Sequence, residues 1–202
     1  MRFVTFDDGL DELVGVLSED RVIALPDSTG DLVDLIEAGD ATLDLTRAEL
    51  AVSRDRGLPL AEVRLLAPLR RFRRDIMCTA WNDDRPRFFT RSPGTPIAYD
   101  PRVSAELAVV ISRAGRDIPR DAALNHVWGY TLAGSTGTAT AIGPWVITID
   151  ELGDPGDVAT LVSELSAATA LRPGDLLLTG GVPQGFPTNV VELATPSMGD
   201  RP

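Results

Sequence analysis

The sequence predicts an α+β protein in which strands dominate. Three observations carry this expectation. Apolar runs are of strand length rather than helix length, as in Phe3-Val4-Thr5-Phe6 and Glu106-Leu107-Ala108-Val109-Val110-Ile111. Clusters of Gly, Pro and Asp separate them. Only a few stretches space their apolar residues as a helix does. The expected organisation is a small β-rich N-terminal lobe over residues 1–68 followed by a core over residues 69–202.

Residues 1–25 read as an antiparallel meander: Phe3–Phe6, Leu13–Leu17 and Val22–Leu25 are strand-like, and Asp7-Asp8-Gly9 and Ser18-Glu19-Asp20 are turn chemistry. Asp31 to Gly39 has an Asp start and a Gly stop around an apolar stripe, which predicts a short helix. A second helix is predicted over residues 46–54, and a strand over 63–68. Ile76–Trp81 reads as a buried strand, whereas residues 82–101, rich in Asp, Arg and Pro, read as a surface loop. Glu106–Ser112 is the clearest strand. A helix is predicted from Asp117 through Trp128, with Pro119 near its first turn. Strands follow at Gly129–Ala133 and Pro144–Thr148, with a flexible loop between them around Gly134-Ser135-Thr136-Gly137-Thr138. A helix over residues 157–170 and a last buried strand at Leu176–Thr179 precede a Gly/Pro-rich tail.

Composition excludes several function classes. The net charge of −11 repels phosphate backbones and anionic membranes, so neither nucleic acid nor membrane is an expected partner. No apolar run approaches the roughly 20 residues that span a bilayer. The N-terminus lacks the basic start and long apolar stretch of a signal peptide, which leads to a cytoplasmic expectation. One cysteine, Cys78, leaves no internal disulfide. All 19 basic residues are arginine, so no lysine Schiff base can form, and any Ser-His or Cys-His pair must use the single His126. His126 is expected to be structural, and Cys78 and Trp145 to be packing. The Gly134–Thr138 run lacks the Lys and spacing of a phosphate-binding loop.

Five segments in order resemble the fumarylacetoacetate hydrolase family: the opening Met1–Gly9, Ala105–Ile111, Ala122–Ala133 with its Gly129-Tyr130-Thr131, Gly143–Thr148, and Leu171–Gly180 with its Pro173-Gly174-Asp175. The resemblance implies a mixed β-sheet rolled into a barrel-like core, usually a homodimer. It also implies enzymes that hold a divalent cation, bind a 1,3-dicarbonyl or oxo-acid, stabilise an enolate and move protons with a His–Glu pair.

The chain departs from that pattern at its chemistry. Where the family places the carboxylates of its cation site, this sequence has Ser104, Glu106 and Ser135; one carboxylate and two hydroxyls hold magnesium poorly. The stretch expected to carry the His–Glu pair is shortened after Trp81-Asn82, and Arg91 stands where the family has a lysine. No metal and no cofactor are therefore expected. Glu106, partly desolvated at the head of an apolar strand, is the candidate general base or acid. Arg91 is the candidate clamp for a carboxylate or enolate oxygen, and Asn82 completes the catalytic candidates. Ser104, Ser135 and Thr179 offer neutral hydrogen bonds at family site positions, and Trp81, Phe88, Phe89 and Tyr99 are candidates to line an apolar pocket.

The leading expectation is a metal-independent cyclase or isomerase for a small enolisable, polyketide-like or dicarbonyl molecule. Two alternatives stay open: a magnesium-dependent hydrolase or decarboxylase whose site is rebuilt from Glu106, Asp100 and Asp83 or Asp84, and a non-catalytic binding homologue.

Overall fold

The computed structural model describes residues 1–26, 29–53, 57–82 and 85–182. The N-terminal meander forms as expected: β1 (Arg2–Asp7), β2 (Glu12–Ser18) and β3 (Arg21–Ala24), with Phe3 opposite Val16 and Val16 opposite Ile23. Its first turn is held by aspartate side chains: Asp7 accepts the Gly9 amide at 2.7 Å, and Asp8 accepts those of Leu10 and Asp11 at 2.8 and 2.9 Å. Helix α1 (Leu32–Ala38) begins with a reciprocal cap between Asp31 and Asp34 and stops at Gly39, whose φ of 81° suits glycine. Helix α2 runs over Asp40–Ser53, starting ahead of the predicted residue 46, because no Gly or Pro interrupts that run. Residue 54 of the predicted helix lies outside the described residues.

The strand predicted over 63–68 shrinks to the short pairing β5 (Arg64–Leu65), and a second short pairing, β4 (Leu58–Pro59), precedes it. Proline at position 68 has no N–H to continue the ladder. β6 (Ile76–Asn82) forms the expected strand, buried through Thr79 and exposed from residue 80 onward. The predicted surface loop over 82–101 is instead largely strand: β7 (Arg85–Arg91) forms a hairpin with β6, and β8 (Thr95–Ala98) follows. β7 lies at the end of the sheet's strand order, where Pro86 and exposed arginines are tolerated because only one edge needs hydrogen-bond partners.

β9 (Glu106–Ile111) leads to a 3-10 helix at Arg120–His126, in place of the α-helix predicted for 117–128. Tertiary bonds tighten this segment, since Ser166 Oγ accepts the Ile118 amide at 2.8 Å and Ser163 Oγ donates to the Ile118 carbonyl at 2.7 Å. β10 (Val127–Ser135) and β11 (Ala139–Thr148) are longer than predicted and leave only residues 136–138 of the expected flexible loop. A short helix α3 (Ile149–Leu152), helix α4 (Val158–Ala168) and β12 (Leu176–Leu178) complete the described fold.

Among the described residues, all twelve strands belong to one mixed sheet in the order β4-β3-β2-β1-β11-β10-β9-β12-β6-β7, with β5 beside β1 and β8 beside β11. The meander joins the rest through Arg2 opposite Ile147 and Phe3 opposite Val146. This is the strand-dominated α+β class read from the sequence. One core layer gathers α4 with Met77, Leu107, Val109, Tyr130 and Trp145; the other gathers α1 with Cys78, Ala108, Val110 and Leu178.

Three residues, 92–94, connect β7 to β8. β7 ends the strand order beyond β6, yet β8 pairs in parallel with β11, Thr95 lying opposite Ala139. So short a link forces the sheet to curl until the end of β7 meets β11. The Arg91 to Thr140 hydrogen bond of 3.1 Å records the meeting.

Candidate functional site

The curl assembles a cluster on the α1-facing side of the sheet. In a strand, alternate side chains share a face. Cys78, Leu178 and Ala108 stand in one row across β6, β12 and β9, and Glu106 follows Ala108 on the same face, opposite Ala133 of β10. Glu106 Oε2 accepts the backbone N–H of Gly180 at 2.9 Å, just beyond β12. Among the described residues only that oxygen of Glu106 is hydrogen-bonded.

Arg91 enters from the end of β7. Its Nη1 donates to Thr140 Oγ1 at 3.1 Å, and its Nη2 is buried with no hydrogen-bond partner. The Cys78 thiol is buried between these groups. Burial pushes its ionisation up, the Arg91 guanidinium opposes that shift, and the Glu106 carboxylate reinforces it. A carboxylate, a guanidinium and a thiol therefore share one face of the sheet.

Trp81 caps this cluster. Its Nε1 donates to the Thr179 carbonyl at 2.8 Å, and its ring lies so close to Gly180 that a Cβ there would stand 3.0 Å from the ring. The Thr179 hydroxyl, expected to face a ligand, is spent on the Gly181 carbonyl at 2.8 Å. Ser135 is exposed and accepts the Gly137 amide at 3.2 Å, while standing opposite Thr140 in the ladder. Ser104 is exposed, its carbonyl packed against Gly134, where a Cβ would sit 2.4 Å away. Asn82 ends β6, exposed and opposite Arg85.

The expected pocket aromatics divide. Trp81, half exposed at the end of β6, lies against the Thr179–Gly180 turn that holds Glu106, whereas Phe88 stands opposite Thr79 and packs into the α4-side core. Phe88 and Phe89 line a separate open cleft of about 570 Å³, shared with Met77, Leu165 and Ala168. Tyr99 also packs against the α4-side core, where burial raises its phenol ionisation. His126 contacts the Arg113 carbonyl at 3.2 Å, and Trp145 is buried in the core, both as expected.

Sequence reasoning missed two members. Cys78 was read as packing alone, and Thr140 fell in a segment read as loop. Alternation within β6 placed Cys78 on a face with Ile76, but only the insertion of β12 between β6 and β9 shows that this face is shared with Glu106.

The cation site implied by the family resemblance does not fit the residues present. Ser104, Glu106 and Ser135 supply one carboxylate, already bound to an amide, and a guanidinium lies nearby. Magnesium prefers about six oxygen ligands, carboxylates among them. Among the described residues no three His, Cys, Asp or Glu side chains are grouped to hold a metal. Asp100, the alternative ligand, is clasped by Arg102, which lowers its carboxyl pKa to about 2. Asp83 and Asp84 lie outside the described residues, as does the Gly/Pro-rich tail from residue 183.

Comparison with known proteins agrees with the fold and places the chain. The family profile described as "Fumarylacetoacetate (FAA) hydrolase C-terminal" matches residues 89–136, the span that carries Arg91, Glu106 and Ser135. The chain thus resembles the fumarylacetoacetate hydrolase family over this span, and it shares its fold with a solved fumarylacetoacetate hydrolase from Exiguobacterium antarcticum, TM-score 0.70 at 22% identity. Among its relatives, the mitochondrial oxaloacetate tautomerase FAHD2A of Bos taurus is 28% identical over 218 residues, covering 75% of this chain and 69% of that protein. Maleylpyruvate hydrolase of Aquipseudomonas alcaligenes is 30% identical over 117 residues, covering 40% of each chain. The chain spans less than half the length of the curated hydrolases it matches. Among solved structures, maleylpyruvate hydrolase from Sphingobium sp. SYK-6, in complex with manganese (II) ion and pyruvate, superposes with a TM-score of 0.72 at 21% identity, covering 92% of this chain and 89% of that one. The proteins this chain is similar to thus include hydrolases, an isomerase and a tautomerase. No helix among the described residues is long and apolar enough to cross a membrane.

Proposed function

We propose that the chain is a metal-independent isomerase or cyclase acting on a small enolisable carbonyl compound, of the 1,3-dicarbonyl or polyketide-like class. The observation that carries this reading is Glu106: a partly buried carboxylate with one oxygen fixed by the Gly180 amide and the other open, in the same cluster as the Arg91 guanidinium. The fixed oxygen orients the carboxylate, and the open one accepts a proton from the carbon next to a carbonyl. The electron pair of that C–H bond forms a C=C bond as the carbonyl π pair moves onto its oxygen, and the Arg91 guanidinium stabilises the enolate formed. Return of the proton to a different atom completes an isomerisation; attack of the enolate carbon on a second carbonyl of the same molecule, with Glu106 giving its proton to the alkoxide formed, completes a cyclisation. Trp81 supplies an apolar wall that holds a planar enol in place.

The kinship with an oxaloacetate tautomerase and with isomerases supports proton-transfer chemistry. The poor donor set for a cation supports metal independence. Enolisation of oxaloacetate and of simple 1,3-diketones, followed by ultraviolet absorbance with and without EDTA, tests the reading. Equal turnover in both conditions, lost in Glu106→Gln, is the expected result. Turnover that appears only with magnesium or manganese contradicts it.

A further inference from the structure

We propose that Thr140 is a positioning residue for Arg91, and that the two form a receptor for an anionic oxygen of the bound ligand, either a carboxylate or an enolate. Thr140 is fully buried in β11. Its hydroxyl donates to the Pro93 carbonyl at 2.6 Å and accepts from Arg91 Nη1 at 3.1 Å. A hydroxyl has one hydrogen to give, so the bond to Pro93 settles its orientation and turns a lone pair toward the guanidinium. Pro93 lies in the three-residue link between β7 and β8, so this hydroxyl ties the guanidinium to the place where the sheet curls.

Beyond its bond to Thr140 the guanidinium meets, among the described residues, only the Ser92 carbonyl at 3.5 Å and the Cys78 thiol, and no carboxylate. Nη2 is buried and unbonded, and among the described residues Arg91 makes no ion pair. A buried donor without a partner is destabilising, and more so on a charged group. Native proteins retain few such groups, and those retained need a reason. The nearby Cys78 is a thiol whose burial keeps it neutral, so it does not answer the charge. An anionic ligand oxygen does, and the planar fork offers it a directed donor. The inference rests on the proposed site but not on Glu106 acting as a base.

Calorimetric titration of the full chain tests it. Oxalate represents the carboxylate source, and 2,4-pentanedione, titrated below and above its own ionisation, represents the enolate source. Arg91→Met is expected to weaken binding of the anion at least about 30-fold, and Thr140→Val about tenfold, each tenfold corresponding to one lost good hydrogen bond. Thr140→Ser, which keeps the hydroxyl, is expected to stay within about threefold of the parent. Affinity for the neutral diketone is expected to hold in all three, a pattern that a merely structural role does not produce. Should Thr140→Val fail to fold, Arg91→Lys, which keeps the charge but loses the fork, reads the same claim through a comparable loss of anion binding. Anion affinity unchanged in Thr140→Val, equal loss of neutral and anionic probes, or no binding of either anion by the parent chain overturns the proposal. Turnover surviving in Glu106→Gln while Arg91→Met loses anion binding removes the proposed reaction and leaves this receptor standing.

Discussion

The carboxylate of Glu106 accepts the amide of Gly180 at 2.9 Å, tying the first residue of β9 to the turn that leaves β12. Two segments 74 residues apart in sequence thereby set the direction of one side chain. That direction decides which oxygen is free for chemistry.

Glu106→Gln keeps an oxygen able to accept from Gly180 but removes the proton acceptor. Turnover of an enolisable substrate is expected to fall by roughly 10²–10⁴, the range for loss of a general base, with the melting temperature changed little. Steady-state rates and a thermal melt on the same preparation check both halves. Glu106→Asp, one methylene shorter, is expected to lose the Gly180 bond as well and to recover little of the rate.

Asp175 is the aspartate of the Pro173-Gly174-Asp175 turn, and its side chain is fully buried. It accepts Arg74 Nε at 2.8 Å and the Arg172 amide at 2.7 Å, while Arg74 also reaches the Ala170 carbonyl at 2.9 Å. Asp175→Asn leaves Arg74 half-buried without its counter-charge. A loss of roughly 2 kcal/mol is expected, because breaking one partner of such a pair strands the other. In a domain of this size that is a fall of about 5 °C in Tm, readable by calorimetry. An unchanged melting temperature would show that solvent screens the pair completely.

Tyr130 is wholly buried, and burial pushes its phenol ionisation far above the ordinary value of about 10. Burial pushes the Cys78 thiol up as well. Both groups are neutral when protonated, so at alkaline pH the unfolded chain loses these protons while the folded chain keeps them. Stability is then full below the unfolded ionisations and falls as pH rises through about 9 and 10, by up to about 1.4 kcal/mol per pH unit for each group. Denaturant titrations between pH 7 and 11 are expected to show this decline, and Tyr130→Phe is expected to flatten its upper part.

Gly129 of β10 faces the β11 backbone so closely that a Cβ would stand 2.1 Å from the Ile147 carbonyl oxygen. Gly129→Ala must push β10 and β11 apart next to Thr148, which anchors the N-terminus. The expected cost is about 1–3 kcal/mol or more, as for other forced overpacking. A control at Gly153, with open space around its Cβ, separates this steric cost from the backbone cost of a positive φ.

How much of this was legible depended on the range of the forces involved. The Asp31 cap and Gly39 stop of α1, the alternation of β1 to β3, the apolar run of β9 and the stripe of α4 are local signals, written within a few residues. Glu106 and Arg91 were legible as candidates because carboxylate and guanidinium chemistry is readable residue by residue. β7 was not, since its polar, proline-containing sequence becomes a strand only when β6 offers an edge to pair with.

By itself the sequence determined the strand-dominated class and the absence of lysine from any site. Tertiary structure alone decided which candidates meet. The insertion of β12 between β6 and β9 put Cys78 on the face of Glu106, and the three-residue link after β7 bent Arg91 onto Thr140. Phe88 and Tyr99 went instead to the core beside α4. The physical reason is that side-chain direction alternates along a strand, so a residue's neighbours depend on strand order and register, and both are set by pairings between distant segments.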